Sequence, residues 1–346
     1  MRFFVRLSIL MLLFLGAVSF GYAQQGEFNV YNVAFYNVEN LFDVINDPNK
    51  NDEDFLPDGD YKWTQKRYEL KLSQMANVIS KLGAAKAGGP PVICGIAEVE
   101  NEQCLRDLIA RPPLSDYPYE VVLVEGPDKR GVDVGLIYRT DVFKVENFYA
   151  RELWIKNAYK GFATRNQLVV EGEMAGEPLA VMVNHWPSRR AKSWYREEAG
   201  KLQRQIIDEL RAEKPGINVV VMGDFNDDPV NKSMTKALGA KGKKSEVTDK
   251  DYLYNPMYKL YKNGQGTLAY RDNWNLFDQI IVSKEMLNKE GLIYYKAEIC
   301  NFDELKNPNG RYKGYPFRTY AGGNYAGGYS DHFPVVIYLL KEKTGL

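Results

Sequence analysis

The chain has 346 residues, 45% of them hydrophobic, and balances 45 Lys and Arg against 45 Asp and Glu. That supplies apolar sequence for a large core but no long-range basic field for a polyanion. With three cysteines and two histidines, it has neither the thiols for a disulfide scaffold nor a Cys/His cluster for structural zinc.

The chain opens with Arg2 and Arg6, an apolar run from Leu7 to Phe20, then Gly21, Tyr22 and Ala23. This reads as a secretory signal peptide over residues 1–23, which predicts export to the periplasm or the extracellular space. The run is shorter than the roughly 20 apolar residues a spanning helix needs, so no stable membrane insertion is expected. Removing Arg2 and Arg6 with the leader leaves the remainder two charges negative. No Pro/Gly/Ser-rich linker divides residues 24–346, which are taken as one domain.

Short runs rich in Val, Ile, Phe and Tyr follow: "NVYNVAFYN", "PPVICGIAEV", "VDVGLIYR", "QLVVEGEM", "PLAVMVNHW", "INVVVMGDFN", "LFDQIIVS" and "HFPVVIYLL". Each predicts a strand. After the first, the acidic "DPNKNDEDFLPDGD" invites comparison with a calcium loop, but Asp52 and Asp58 stand where that loop requires glycine and glutamate, and a solvated loop is expected. Tyr68, Leu72, Met75, Ala76, Ile79 and Leu82 repeat at helical spacing, as do Ala199, Leu202, Ile206 and Leu210.

The fourth and fifth runs, joined by Ala175, Gly176 and Glu177, predict an antiparallel hairpin, whereas helix-separated strands permit parallel pairing. Cys94 reads as a small core residue, and the three cysteines allow at most one disulfide. "HWPSRRAKSWYR" interleaves Arg189, Arg190, Lys192 and Arg196 with Trp186, Trp194 and Tyr195. It suits either a nucleic-acid strand or a solvated loop. Arg165 is a further candidate phosphate contact, and "AGGNYAGGY" before the last strand is expected to form a mobile flap.

Polar residues collect where strands end: Asn37 and Glu39, Glu98, His185, Asp224 and Asn226, Asp278, and Asp331 with His332. Singly, each reads as a cap or turn residue. Together they place hard oxygen donors and both histidines at sheet rims, which is what hydrolysis of a phosphate ester requires: charge neutralisation, a base for water and donors for the phosphate oxygens.

In this order, "NVEN", "AEVEN", "GDFN" followed by proline, and "SDHFPV" resemble the endonuclease/exonuclease/phosphatase family over nearly all of the mature chain. The resemblance implies a four-layer α/β sandwich, two packed mixed β-sheets flanked by helices, and a Mg²⁺- or Mn²⁺-dependent phosphoesterase. It implies Glu98, Glu39 and Asp331 as metal ligands, Asp224 as the base for water, and Asn37 holding Asp224. Asn226 is implied as a phosphate-orienting amide, His332 as an electrophile held by Asp278, and His185 as a donor to a nonbridging oxygen. Family mechanisms differ on whether the aspartate or the histidine is the base.

Many abasic-site enzymes of the family carry aspartate where this chain has Glu39, which makes its direct metal contact less secure than that of Glu98. DNA or RNA is the leading substrate expectation, with Arg189, Arg190 and Arg165 as contacts. A sphingomyelinase-type phospholipase C, a phosphatase on small metabolites and a catalytically silent binding module are the alternatives. No protein partner is implied.

Overall fold

The computed structural model describes residues 27–343; the expected signal peptide lies outside them. The first part of the chain supplies β1 (Phe28–Leu41), α1 (Gln65–Lys81), α2 (Ala84–Ala87), β2 (Ile93–Val99), α3 (Glu102–Ile109), β3 (Tyr119–Leu123) and β4 (Asp133–Arg139). Next come β5 (Phe143–Arg151), β6 (Gln167–Met174), β7 (Glu177–His185), α4 (Ser193–Glu213), β8 (Asn218–Asp224), β9 (Leu253–Tyr254) and α5 (Met257–Lys262). A small hairpin of β10 (Leu268–Tyr270) and β11 (Asn273–Asn275) leads into β12 (Asp278–Ser283). The chain returns through β13 (Ile293–Ile299), the hairpin of β14 (Tyr320–Ala321) and β15 (Asn324–Tyr325), and β16 (Val335–Glu342).

Two six-stranded sheets result, ordered β13-β16-β1-β2-β4-β3 and β5-β6-β7-β8-β12-β9. Both are mixed: β1 runs parallel to β2 and β7 parallel to β8, while their other neighbours pair antiparallel. The period-2 alternation of each strand buries one face between the sheets, where Phe35, Ile93 and Leu136 meet Val181, Met222 and Ile280. The opposite face of the first sheet takes the stripe of α1 (Tyr68, Leu72, Met75, Ile79) together with Leu105 and Leu108 of α3. That of the second takes Ala199, Ile206 and Leu210 of α4. Helix, sheet, sheet and helix make the expected four layers.

Local chemistry explains the joints. α1 stops because Gly83 takes a left-handed φ of 74°, and a Cβ there would lie 2.9 Å from Asn32 Cβ, so only glycine fits. The β6–β7 hairpin turns on two residues, Ala175 and Gly176, with φ of 51° and 81°; Glu177 already belongs to β7. Positive φ at both central positions is the turn that matches strand twist.

Two expectations are corrected, and the cysteines stay within theirs. "AGGNYAGGY" is pinned to α1, because Gln74 Nε2 donates to Gly327 O at 2.9 Å and Lys71 Nζ donates to Tyr329 O. The acidic loop is solvated in part only: Asp52 is buried, and its carboxylate accepts the Asp47 N–H at 2.9 Å. Cys94, Cys104 and Cys300 are all buried free thiols. Among the described residues, no helix is long and apolar enough to cross a membrane.

Candidate active site

The polar strand ends meet at one rim of the sandwich. In the second sheet, His185 closes β7 and Asp224 closes β8 as paired neighbours, and Asp224 is also paired with Asp278, the first residue of β12. Strand register alone therefore places these three side by side. In the first sheet the ladder slips twice, in β1 between Asn37 and Leu41 and in β2 between Ala97 and Val99. At those slips Glu39, Asn40 and Glu98 take left-handed φ of 51°, 56° and 63°. Each costs about 1–2 kcal/mol in a non-glycine residue, and the return is a re-aimed side chain. Asn226 is held the same way, at φ 51°.

The contacts run continuously around the rim. Glu98 Oε1 lies 3.9 Å from His185 Nε2, which lies 3.5 Å from Asp224 Oδ2. That same oxygen accepts the Asn37 amide at 3.1 Å and lies 3.9 Å from His332 Nε2. His332 Nε2 is in turn 3.7 Å from Asp331 Oδ1, and Arg318 joins Asp331 to Glu39 at 3.1 and 3.0 Å. Behind this arc, Ser330 Oγ donates to Asn37 O at 2.6 Å and accepts the His332 N–H at 3.1 Å. Asn226 accounts for the other Asp224 oxygen, its N–H donating to Oδ1 at 2.9 Å, while its amide donates one N–H to Trp186 O at 3.0 Å.

The two histidines are set to different charge states, one a cation and one neutral. His332 Nδ1 lies 2.6 Å from Asp278 Oδ2. Burial works against its charge, but Asp278, with Asp331 and Asp224 behind it, outweighs burial and holds the imidazolium well above the usual range. His185 is pushed well below that range by burial and by Arg165, so it stays neutral. Its Nε2 faces carboxylates and its Nδ1 has no partner, which assigns the proton to Nε2. Burial lifts Asp224 to about 7 despite the pull of His332. Burial, then Asp331, lifts Glu39 to about 7 against Lys71, Arg318 and the Thr319 N–H.

Asp224, Asp278 and His332 bring ligand-type atoms within 4.8 Å of one another, but His332, held as an imidazolium, offers no free nitrogen to ligate a metal. A hard divalent cation fits better at the other end. There, among the described residues, Glu98 Oε2 accepts only the Asn40 N–H at 3.1 Å and Oε1 has no hydrogen-bond donor, and Glu39 and Asp331 add oxygen donors. Asp43, Glu100 and Cys104 also approach within 4.8 Å, but burial pushes the Cys104 thiol up, away from the thiolate that metal ligation requires.

Two cations at this end went unnoticed in the sequence. Arg318 bridges Glu39 and Asp331. Lys71, 1% exposed, donates to Thr319 Oγ1 at 2.6 Å and to the Tyr329 carbonyl. Lys71 had a legible signal, a lysine inside the apolar stripe Tyr68, Leu72, Met75; Arg318 sits in a loop with none.

The basic and aromatic stretch after His185 is divided between the interior and the surface. Arg165 is 7% exposed and donates to His185 O, Trp186 O and Asp128 at 2.7–3.1 Å, so it braces the backbone behind His185. Arg196 is buried against Asp227 at 2.9 Å, and Trp186 and Tyr195 are core residues. Arg189 is exposed but tied to Asn226 O and Asp228; Arg190 and Lys192 are also exposed.

Two packed mixed sheets, with carboxylates, amides and histidines converging on one rim, define a DNase-like phosphoesterase fold. A profile described as the Endonuclease/Exonuclease/phosphatase family matches residues 32–341, and the chain belongs to that family of hydrolases, whose members are typically divalent-metal dependent. Among curated proteins none matches it. Among solved structures it is similar to an endonuclease/exonuclease/phosphatase family protein from Bacteroides thetaiotaomicron, with 16% identity, 92% of this chain and 97% of that one covered, and a TM-score of 0.55. A mannosyl-6-phosphatase from the same organism gives 17%, 89%, 99% and 0.54. TDP2 from D. rerio, complexed with a single-strand DNA product, gives 14%, 90%, 98% and 0.54. At such identities the likeness is one of fold.

Proposed function

We propose that the protein is an exported phosphoesterase that hydrolyses phosphate esters by attack of water, with Asp224 as base. The observation that carries this reading is the placement of Asp224 Oδ2, which has the Asn37 amide at 3.1 Å, His185 Nε2 at 3.5 Å and His332 Nε2 at 3.9 Å. An oxygen so surrounded can take a proton from a water in the cleft while the Asn37 amide keeps it in place and the two imidazoles stand close by. His332, charged and oriented by Asp278, would stabilise negative charge developing on the phosphate, and neutral His185 would donate to a second oxygen. The free N–H of Asn226 would serve a third. Glu98, Glu39 and Asp331 would hold Mg²⁺ or Mn²⁺, which when bound supplies Lewis acidity to the phosphate.

For the substrate we favour a small phosphorylated compound over DNA or RNA, which inverts the expectation from sequence. The reason is physical: Arg165, Arg196, Trp186 and Tyr195, half of the groups that could have followed a nucleic-acid strand, are used inside the protein. A second reading, cleavage near the end of a single strand, is favoured by one feature. Trp274, 37% exposed, stacks on Phe333 beside His332, with centroids 6.0 Å apart and planes at 16°, and Tyr270 is exposed on the same hairpin; such rings suit bases as well as sugars.

Incubation with sugar phosphates, a simple diester, single-stranded DNA, RNA and sphingomyelin, each with Mg²⁺, Mn²⁺ or EDTA, tests the proposal. It expects metal-dependent release of phosphate from the small monoesters. Cleavage of the polynucleotides alone would restore the nuclease reading, and turnover undiminished by EDTA would remove the metal.

A further inference from the structure

Two cations face the carboxylates of the rim, and they differ in freedom. Lys71 is sealed beneath, fixed by Thr319 and the Tyr329 carbonyl. The Arg318 side chain is 52% exposed, with Nε donating to Glu39 Oε1 at 3.0 Å and Nη2 3.1 Å from Asp331 Oδ2. One carboxylate comes from a slipped strand near the start of the chain and the other from the loop before β16. Held together without a cation between them, they would repel. Glu39 is held from a second side by the Thr319 N–H at 2.7 Å, whereas Asp331, 30% exposed, makes ion pairs among the described residues only with the exposed guanidinium and His332. The Arg318–Asp331 contact is thus the weaker half of the clamp, because exposed ion pairs contribute little.

We propose that Arg318 is an exchangeable counter-cation: it clamps Asp331 to Glu39 until a divalent cation binds, gives up Asp331 to that cation, and then turns its freed fork to the phosphate of the substrate. The inference rests on the reading of Glu39, Glu98 and Asp331 as the cation's ligands. The planar fork of arginine matches two phosphate oxygens, and Asp331 adjoins His332, so a guanidinium released there stands at the phosphate position. Lys71, which does not move, keeps Glu39 partly compensated during the exchange. The arrangement favours ligands with a terminal dianionic phosphate, which offers the fork more charge than a diester does.

Calorimetric titration of Mn²⁺ into wild-type, Arg318→Met and Arg318→Lys protein, followed by inorganic phosphate into each Mn²⁺-loaded protein, tests the exchange without turnover. Removing the competitor should tighten Mn²⁺ binding about fivefold in Arg318→Met and weaken phosphate binding about tenfold. Arg318→Lys keeps the charge and should bind Mn²⁺ like the wild type. Equal Mn²⁺ affinity in Arg318→Met and wild type would overturn the exchange, and equal phosphate affinity would overturn the handover. A wild type that binds no Mn²⁺, or binds it undiminished by Glu98→Gln, would instead sink the metal reading on which the inference rests.

Discussion

The charge on His332 depends on Asp278, and Asp278→Asn isolates that dependence. Asp278 is fully buried, and its Oδ2 sits 2.6 Å from Nδ1 of the 8%-exposed histidine. Asparagine keeps the shape and can accept the Nδ1 proton through its amide oxygen, so the ring stays oriented while the charge is lost. A charge-assisted hydrogen bond contributes about 1.5–3 kcal/mol. Asp331 at 3.7 Å and Asp224 at 3.9 Å retain part of the support, so the His332 pKa should fall part of the way, with kcat/KM near pH 7.5 down about 10- to 100-fold. Because the chain has two histidines, their ring-proton NMR signals can be followed individually against pH. In the wild type one histidine stays charged through neutral pH and the other stays neutral; in the variant the charged one should titrate at lower pH than in the wild type. A His332 that titrates at the same pH in Asp278→Asn as in the wild type, or an unchanged kcat/KM, would refute the coupling.

Asp224→Asn should lower kcat/KM by about 10²- to 10⁴-fold. The wild-type profile should rise with pH through about 7 as Asp224 ionises, and a profile flat from pH 5 to 8 would exclude it as base. Glu100 is lifted to about 8, first by burial and then by Asp43, Asp52 and Asp47, against the Asp43 N–H. Its folded pKa lies above the unfolded one, so its stabilisation is complete below about pH 4.5 and lost as pH rises to about 8. Glu100→Gln should therefore gain about 2–4 kcal/mol on the wild type between pH 5 and 8.5, and a urea-unfolding difference independent of pH would contradict this. Lys71→Met leaves Glu39 and Asp331 short of a buried counter-charge and should cost about 3–5 kcal/mol; adding Glu39→Gln should recover part of that in the same unfolding measurement.

The eight runs read as strands all lie in the two sheets, and five of the eight interior positions carry site residues at their ends. The sheet strands that went unread, β3, β5, β9 and β13, are the four edges. The reason is general: an edge strand shows one flank to water and tolerates charge, so Lys144, Glu146 and Arg151 break the apolar run of β5 and Lys296 and Glu298 that of β13. Site residues were legible where the chain delivers them at the end of an apolar run, as with Glu98, Asp224 and Asp278. The inward turn of Arg165 and Arg196 was not, because their partners Asp128 and Asp227 come from distant or intervening segments and nothing local marks an arginine as internal. The slips that re-aim Glu39 and Glu98 leave no glycine behind to announce them.

The account depends on a divalent cation binding where the carboxylates of the first sheet face the histidines of the site. His185 Nε2 is 3.9 Å from Glu98, and His332 Nε2 is 3.7 Å from Asp331, so a paramagnetic ion at this end must relax the ring protons of both histidines. Adding substoichiometric Mn²⁺ while watching those two NMR signals is the most direct measurement. Both should broaden together, and both should stay sharp in Glu98→Gln. Signals that survive saturating Mn²⁺ in the wild type would contradict the account.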